Sequence, residues 1–389
     1  MVRLLKTRVG HSIAVDAFTS GVETANGANI GADVKLGMLF SSVVLDQVEL
    51  VRGVKSVLGN TPIIGCTSSG AIIVPDGYIA NEDGFSGMMS FADDALVVGV
   101  AGSERGNDPR ETGRKIAIEA LENAGLNEVP NYFYMVASPA EEELYLKGIQ
   151  DVIGRVPFFG GSAADNTVEG KWSIIANDKI FSDGCAVAFF YGENDFANQY
   201  TGAYEESEKC GLVTKIDGRK LIEIDHKPAL EVYSKWSGKS IESLMGGNLL
   251  VETICAPLGV KDPLGDLIAI RHPMNGNDDL SMNIGNNLAV NTAIMMMNGT
   301  ADKLVSSTKE VMIDVKKELG VNSAGYFLVH CGGRKISITD RMEEVYQNIK
   351  KEAGDVPFIT IFTFGEYGSM NHSVNTCGGL MLSFSSFSE

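Results

Sequence analysis

Short apolar runs alternate with amphipathic stretches along most of the chain, and the alternation comes round three times. The first round passes through LGMLF (36–40), a helical stretch, TPIIGCTSSGAI (61–72) and GFSGMMSF (84–91). The second passes through NYFYMV (131–136), VPFFGGSAADN (156–166) and DGCAVAFFY (183–191). The third passes through GYFLVH (325–330), VPFITIFTFGEYG (356–368) and CGGLMLSF (377–384). Pro157 follows Pro62 by 95 residues, Phe133 follows Met38 by 95, and Gly160 follows Gly65 by 95. A shared offset of this kind is the signature of an internal repeat.

An apolar run and a helix precede each round. SIAVDAF (12–18) leads into a weak helix at 20–33, ALVVGVAG (95–102) into one at 108–125, and LAVNTAIMMM (288–297) into one at 299–320. Asp108-Pro109 and Thr300 have the chemistry of helix starts, and Gly125 and Gly320 that of helix stops. Ile116, Ala120 and Leu121, then Leu304, Val311 and Val315, recur at helical spacing. Each unit therefore reads β-α-β-α-β-β. The fold class predicted is α/β, with mixed sheets covered by helices and about three repeated units.

A hairpin-rich insertion, about residues 193–285, separates the second and third units. Its polar start (192–209) reads as a linker or surface meander. Asp217-Gly218 is a hairpin turn. Asp225 is expected to cap a helix that tolerates Pro228 in its first turn. A second hairpin is expected between 266–273 and 279–284, with Asn275-Gly276 as its turn. The domain division predicted is 1–200 and 201–389.

Composition narrows the function. With 389 residues, 44 % hydrophobic and 21 % charged, the chain can bury a large core without disulfides or metals. A net charge of −18 repels phosphate backbones, which argues against nucleic acid and anionic membrane as partners. The six cysteines are isolated, with no CxxC pair and no His at ligand spacing, and so read as free thiols of a cytoplasmic protein. No run reaches the about 20 apolar residues of a membrane-spanning helix. The start, MVRLLKTRVGHSIAVDAF, lacks a signal-peptide core. A P-loop, an HExxH pair and a dinucleotide fingerprint are all absent, which leaves nucleotide hydrolysis, zinc proteolysis and classical NAD chemistry unsupported.

The blocks GCTSSGAI, PFFGGSAADN, VTKIDGRKLIEIDHKPALEVY, HCGGR and FTFGEYG, in this order, resemble the FIST domain, with its amino-terminal and carboxy-terminal parts both represented. That resemblance implies a sensory module binding a small ligand such as an amino acid. It also implies a separate signalling partner, such as a histidine kinase or a cyclase, because no transmitter follows the last strand. One branch of the family is associated with haem and nitric oxide. His11, His226, His272, His330 and His372 are the histidines available to such a group, and spacing favours none. No cofactor is expected. The sequence departs from similar proteins at His226, where they usually carry glycine.

Strand-to-loop junctions are the expected ligand site, because strand ends and glycine-rich loops leave backbone N–H groups free. Cys66, Thr67 and Ser68 lie in the first junction; Gly161, Ser162, Asp165 and Asn166 in the second; Cys331, Arg334, Thr363 and Glu366 in the third. Arg334 or Arg271 would clamp a carboxylate, since guanidinium bonds it bidentately. Asp165, Asn166 and Glu366 would hold an amine. Asx-turn chemistry at Asp165 and Asn166 and an internal bridge for Arg271 are the structural alternatives. An enzyme using Cys66 or Glu366 is the rival reading. His330 cannot serve Cys331 as a base, because neighbours on a strand point to opposite faces.

Overall fold

Strands buried on both faces need helices to cover them, and each of the three rounds supplies both. Leu36–Ser41 and Tyr132–Ala137 are buried along their whole length. The helices start and stop where their end residues dictate. Asp108 accepts from Arg110 N and Glu111 N at the head of Pro109–Ala124, and Thr300 accepts from Lys303 N at the head of Ala301–Leu319. Gly125 and Gly320 close them in the left-handed conformation. The first helix runs over Ala17–Ala28, earlier than the expected 20–33, because Asp16 caps it at Thr19 N.

The computed structural model describes residues 4–31, 33–261, 268–369 and 374–389. Among these, three six-stranded mixed sheets follow one plan. The first runs in the order Lys6–Ser12, Ser86–Ala92, Leu36–Ser41, Ile63–Thr67, then the hairpin Ile174–Ala176 and Lys179–Phe181. The second runs Val97–Glu104, Gly184–Tyr191, Tyr132–Ala137, Phe158–Ser162, then Glu366–Gly368 and Thr376–Gly378. The third runs Phe196–Thr201, Leu382–Ser388, Ser323–Cys331, Phe358–Thr363, then Ile72–Val74 and Gly77–Ile79. In each sheet the third and fourth strands are parallel.

The terminal hairpin of every sheet comes from a different unit. Unit one lends its hairpin to the third sheet, unit two to the first and unit three to the second, so the exchange closes on itself. An exposed sheet edge invites pairing with other chains, and the borrowed hairpin covers it. Each unit therefore reads β-α-β-α-β, hairpin, β, two short strands more than the sequence pattern predicted. The inner faces of the sheets share one core. Phe40, Tyr134 and Phe327, one from each unit, meet there at ring-centre distances of 5.3 to 6.5 Å.

Three expectations are corrected. The first strand of unit three is Phe196–Thr201, paired with Leu382–Ser388, and lies within the stretch read as a polar linker. LAVNTAIMMM does not occupy that place. Its strand, Ala293–Asn298, pairs with Glu205–Asp217 in a separate sheet of the insertion, where burial rather than repeat position accounts for its apolar character. Asp225 does not cap a helix. It and His226 both have positive φ and form the turn before Lys227, while Pro228 precedes the helix Ala229–Ser237. Asn275 and Gly276 are strand residues facing Asn283 and Met282, and the chain turns at 277–281 instead. The Asp217-Gly218 turn stands where it was expected. Residues 266 and 267 of the expected second hairpin lie outside the described residues. No helix among the described residues is long and apolar enough to cross a membrane.

In units one and two the paired helices cross at glycines. A Cβ on Gly53 would sit 2.2 Å from Phe18 O, and one on Gly148 2.0 Å from Arg110 O. Gly148→Ala is therefore expected to destabilise the chain by about 3 kcal/mol or more, measured by urea unfolding. His226 has a left-handed backbone, a conformation that favours glycine. His226→Gly is expected to raise the unfolding free energy by up to about 1 kcal/mol, the relief of strain outweighing glycine's entropy cost.

Candidate functional site

The three junctions do converge, but they bond mainly to one another. Ser69 N donates to Phe362 O (2.8 Å), Phe362 N to Ser68 Oγ (2.9 Å), Ala164 N to Thr67 O (3.0 Å) and Ser162 N to Gly365 O (2.7 Å). Thr67, Ser68, Ser162, Thr363 and Glu366 are fully buried there. Thr67 Oγ1 accepts from Ser173 N, and Gly161 pairs with Glu366 between strands. A Cβ on Gly161 would meet Gly365 O at 2.7 Å. These residues lock the strand ends together.

The charged candidates hold the protein's own backbone. Both carboxylate oxygens of Asp165 take backbone N–H groups, from Thr167, Val168, Glu169 and Lys171. That is the Asx alternative carried through a whole loop. Asn166 beside it is exposed. Arg334, fully buried, donates to Gly202 O, to Leu304 O (3.1 Å) and to Ser307 Oγ (2.7 Å). Arg271 donates to the carbonyls of Asn287, Ile270 and Cys377. Arg271 thus fastens the insertion to unit three through Cys377 O, while Arg334 ties its own unit's helix Ala301–Leu319 to Gly202, where the insertion begins. Cys66 lies in the central core beside Tyr134, and burial pushes its thiol well up, away from the nucleophilic thiolate.

The open space lies beside this knot. A cavity of about 280 Å³ forms where units two and three meet the insertion. Unit two contributes Pro139, Ala140, Glu142, Val168 and Trp172. Unit three contributes Cys331, Gly333, Ile336, Phe364, Gly379 and Leu380. The insertion supplies Arg219, Leu250, Ile254, His272, Met274 and Asn286, among others. Of the twelve residues singled out from sequence, Cys331 alone lines it. The loop that Asp165 organises carries Val168 and Trp172 into its wall.

A buried polar chain runs behind the lining. Tyr367 Oη and Ser162 Oγ are 2.7 Å apart, and Ser162 donates to Glu142 Oε1 (3.0 Å). Arg219 bonds Glu142 (2.5 Å), Glu143 (2.7 Å) and Gly285 O (2.5 Å). Burial raises the Glu142 carboxyl despite Arg219. Burial also acts on Glu143, but there Arg219 and the Asn287 N–H prevail and hold it below the usual range. Two donors remain open: Arg219 Nε and Trp172 Nε1 are buried and have no hydrogen-bond partner among the described residues. Leaving such a group unmet costs about 1–3 kcal/mol.

Sequence reasoning missed Trp172, Arg219 and Glu142, and named His272 only among the histidines available to a haem. Trp172 stands alone in a polar stretch, and Arg219 follows the Asp217-Gly218 turn, the one signal each offered. A haem does not fit these residues. His272 engages Leu250 O through Nε2 (2.9 Å), and the cavity is at the small end of ligand sites, well short of a macrocycle. His330 is shut in the core against Phe362. His372 lies outside the described residues.

Glu366 lies behind Cys331. It accepts from Thr363 Oγ1 and from Met381 N, each at 2.8 Å, and burial pushes its carboxyl up to about 8. The folded chain keeps this proton where an unfolded glutamate, near 4.5, has released it. Stability therefore falls as pH rises through that window and levels off above it. Glu366→Gln has no titrating group; its amide oxygen accepts from Met381 N and its NH2 donates to Thr363 Oγ1, whose hydroxyl turns to accept. The variant is expected to be more stable than the native chain at pH 8 by on the order of 2–4 kcal/mol, the difference closing toward pH 4. Urea unfolding across pH checks this.

Comparison with known proteins follows from this geometry. An uncharacterised protein of Methanocaldococcus jannaschii is 26 % identical over 231 residues, covering 54 % of this chain and 43 % of its own length. The match thus spans less than half of that curated relative. The structure of a cyanuric acid hydrolase from A. caulinodans aligns over 98 % of this chain and 99 % of its own, at 8 % identity and a TM-score of 0.37. A chorismatase structure aligns over all of both chains at 8 % identity and a TM-score of 0.39. Likeness this low carries over no chemistry. The FIST N domain matches residues 35–227 and the FIST C domain residues 229–369, the two meeting inside the insertion. Nearly the whole chain is accounted for by them, and it belongs to the FIST family, whose domains are sensory domains in signal transduction.

Proposed function

We propose that the protein is a receptor for a small ligand, held in the cavity between units two and three and the insertion. The observation that carries this is an apolar hollow walled by three separate stretches of chain, with buried Asn286 and His272 as polar groups in its lining. Ligand sites are apolar hollows with a few placed polar groups. The cavity wall comes from three separate stretches of chain. A ligand touching all three changes how the insertion sits on the units, and so favours one arrangement by its differential affinity. A separate signalling partner, such as a histidine kinase or a cyclase, would read that arrangement.

The enzymatic rival has less support. The Cys66 thiol is held protonated in the core, and Glu366 reaches toward the cavity only through Cys331. The amino-acid version meets a difficulty too. Asp165 is saturated by backbone N–H groups, and Glu366 carries its own proton at neutral pH, so neither offers an ammonium a free carboxylate.

Val251 gives a clean test, because it lines the cavity yet is 60 % exposed, so a larger side chain there blocks the mouth without disturbing the core. A thermal-shift screen of small metabolites is expected to find members that raise the Tm of the native chain and not of Val251→Trp. A ligand at about 100 times its Kd stabilises by about 2.7 kcal/mol, well within reach of such a scan. Hits that shift both proteins alike would place the ligand elsewhere.

A further inference from the structure

Two neighbouring side chains of the insertion stand in the cavity wall with hydrogen-bonding capacity the protein does not use. The backbone sets them side by side, since Gly285 N donates to His272 O (2.8 Å) and Asn286 follows directly. Both lie against Gly379. A Cβ there would be 3.6 Å from His272 Cβ and 4.0 Å from Asn286 Oδ1, and all three residues line the cavity. His272 and Asn286 therefore flank one notch, which glycine keeps clear.

His272 bonds Leu250 O through Nε2, and a carbonyl only accepts, so that nitrogen carries the hydrogen. Burial lowers the ring to about 4, so it stays neutral and Nδ1 presents a bare lone pair. Asn286 is only 2 % exposed, and its side chain makes no hydrogen bond among the described residues. Its amide has two N–H donors and an acceptor oxygen to offer. Other polar side chains of the wall are engaged. Glu142 Oε1 accepts from Ser162, and Oε2 from Arg219 and Ala140 N. Arg219 gives Nη1 to Gly285 O and Nη2 to Glu142 and Glu143. Cys331 Sγ accepts from Gly333 N (3.3 Å). The Trp172 Nε1 and Arg219 Nε hydrogens are sealed within the wall, out of an occupant's reach.

A lone pair answers only a donor. An anion would meet the Nδ1 lone pair, with the Glu142 and Glu143 carboxylates close by. A cation finds those carboxylates already bonded to Arg219, and its burial without a counter-charge is costly. A ketone or an ester can accept from Asn286 but leaves Nδ1 unmet. A primary carboxamide satisfies both residues: one N–H for His272 Nδ1, the other for Asn286 Oδ1, and its oxygen for Asn286 Nδ2. Leu250, Ile254, Met274, Ile284, Phe364 and Leu380 make the rest of the wall suit an apolar body.

We infer that the ligand is an uncharged molecule with a primary carboxamide head on an apolar body, the head seated between His272 and Asn286 at Gly379. This rests on the cavity being the sensory site, and it replaces the expected free amino acid.

Four probes share one phenylethyl body and differ in the head: hydrocinnamamide, its isosteric methyl ketone benzylacetone, the anion hydrocinnamate and the cation phenylpropylamine. Calorimetric titration of the full chain is expected to rank the amide first, by about tenfold or more over each of the others. Asn286→Leu keeps the side chain's shape and breaks no bond within the protein. It is expected to leave the Tm in place or raise it, while weakening the amide by about tenfold. Asn286→Ala, which cannot overpack the wall, is expected to weaken the amide likewise. A ketone bound as tightly as the amide, a preference for either charged probe, an amide affinity that both variants leave unchanged, or no binding of any probe overturns the ligand class. Amide binding that Val251→Trp fails to weaken sinks the site reading itself. Ketone or charged probes that outrank the amide and are blocked by Val251→Trp leave the site standing and remove only the class.

Discussion

Everything in this molecule hangs on the hairpin that each unit lends to another unit's sheet. A strand at a sheet edge carries unmet N–H and C=O groups, and three such edges would leave three sticky surfaces. Passing Ile72–Ile79, Ile174–Phe181 and the paired strands Glu366–Gly368 and Thr376–Gly378 around the ring covers each edge with a neighbour's chain. The exchange also dictates where the strand ends go. Residues just before each hairpin, Ser68, Ala164 and Gly365 among them, are drawn toward one meeting point and bond one another there. A shared core seals the arrangement, with Phe40, Tyr134 and Phe327 in mutual contact. The meeting point is filled by these contacts and joins the three units.

The open cavity arises where the three-part plan is broken. After Phe196–Thr201 the chain leaves unit three for the insertion and returns only at Ala301. Arg334 holds the start of that detour at Gly202 O, and Arg271 within it reaches back to Cys377 O. Arg219 binds it to unit two through Glu142 and Glu143. A buried arginine without its acceptors is costly, so these contacts commit the insertion to one seat. The seat is not a flush fit, and the remaining hollow is the cavity. Asp165 plays a similar part at one remove, since its four backbone bonds shape the loop that places Val168 and Trp172 in the wall.

Much of the architecture was legible along the chain. Apolar runs and helical spacing identified the α/β units, the caps at Asp108 and Thr300 and the stops at Gly125 and Gly320. These are local matters, governed by backbone chemistry within a turn or two. The first strand of unit three was not legible. FANQYT is half polar, and it is a strand because Leu382–Ser388 pairs with it, nearly two hundred residues away. LAVNTAIMMM looked the better strand for that position because hydrophobicity reports burial and does not say against which sheet.

The same boundary separates the candidate residues that were found from those that were missed. The sequence by itself determined the fold class, the family and the glycine-rich junctions that would converge, since all three follow from local pattern and composition. Only the tertiary structure decided that Asp165, Arg334 and Thr67 bond the protein's own chain, and that Trp172, Arg219 and Glu142 surround the hollow. A polar side chain can serve backbone or ligand equally well. Which it serves depends on what long-range packing leaves beside it, and that is written in the pairing of distant strands.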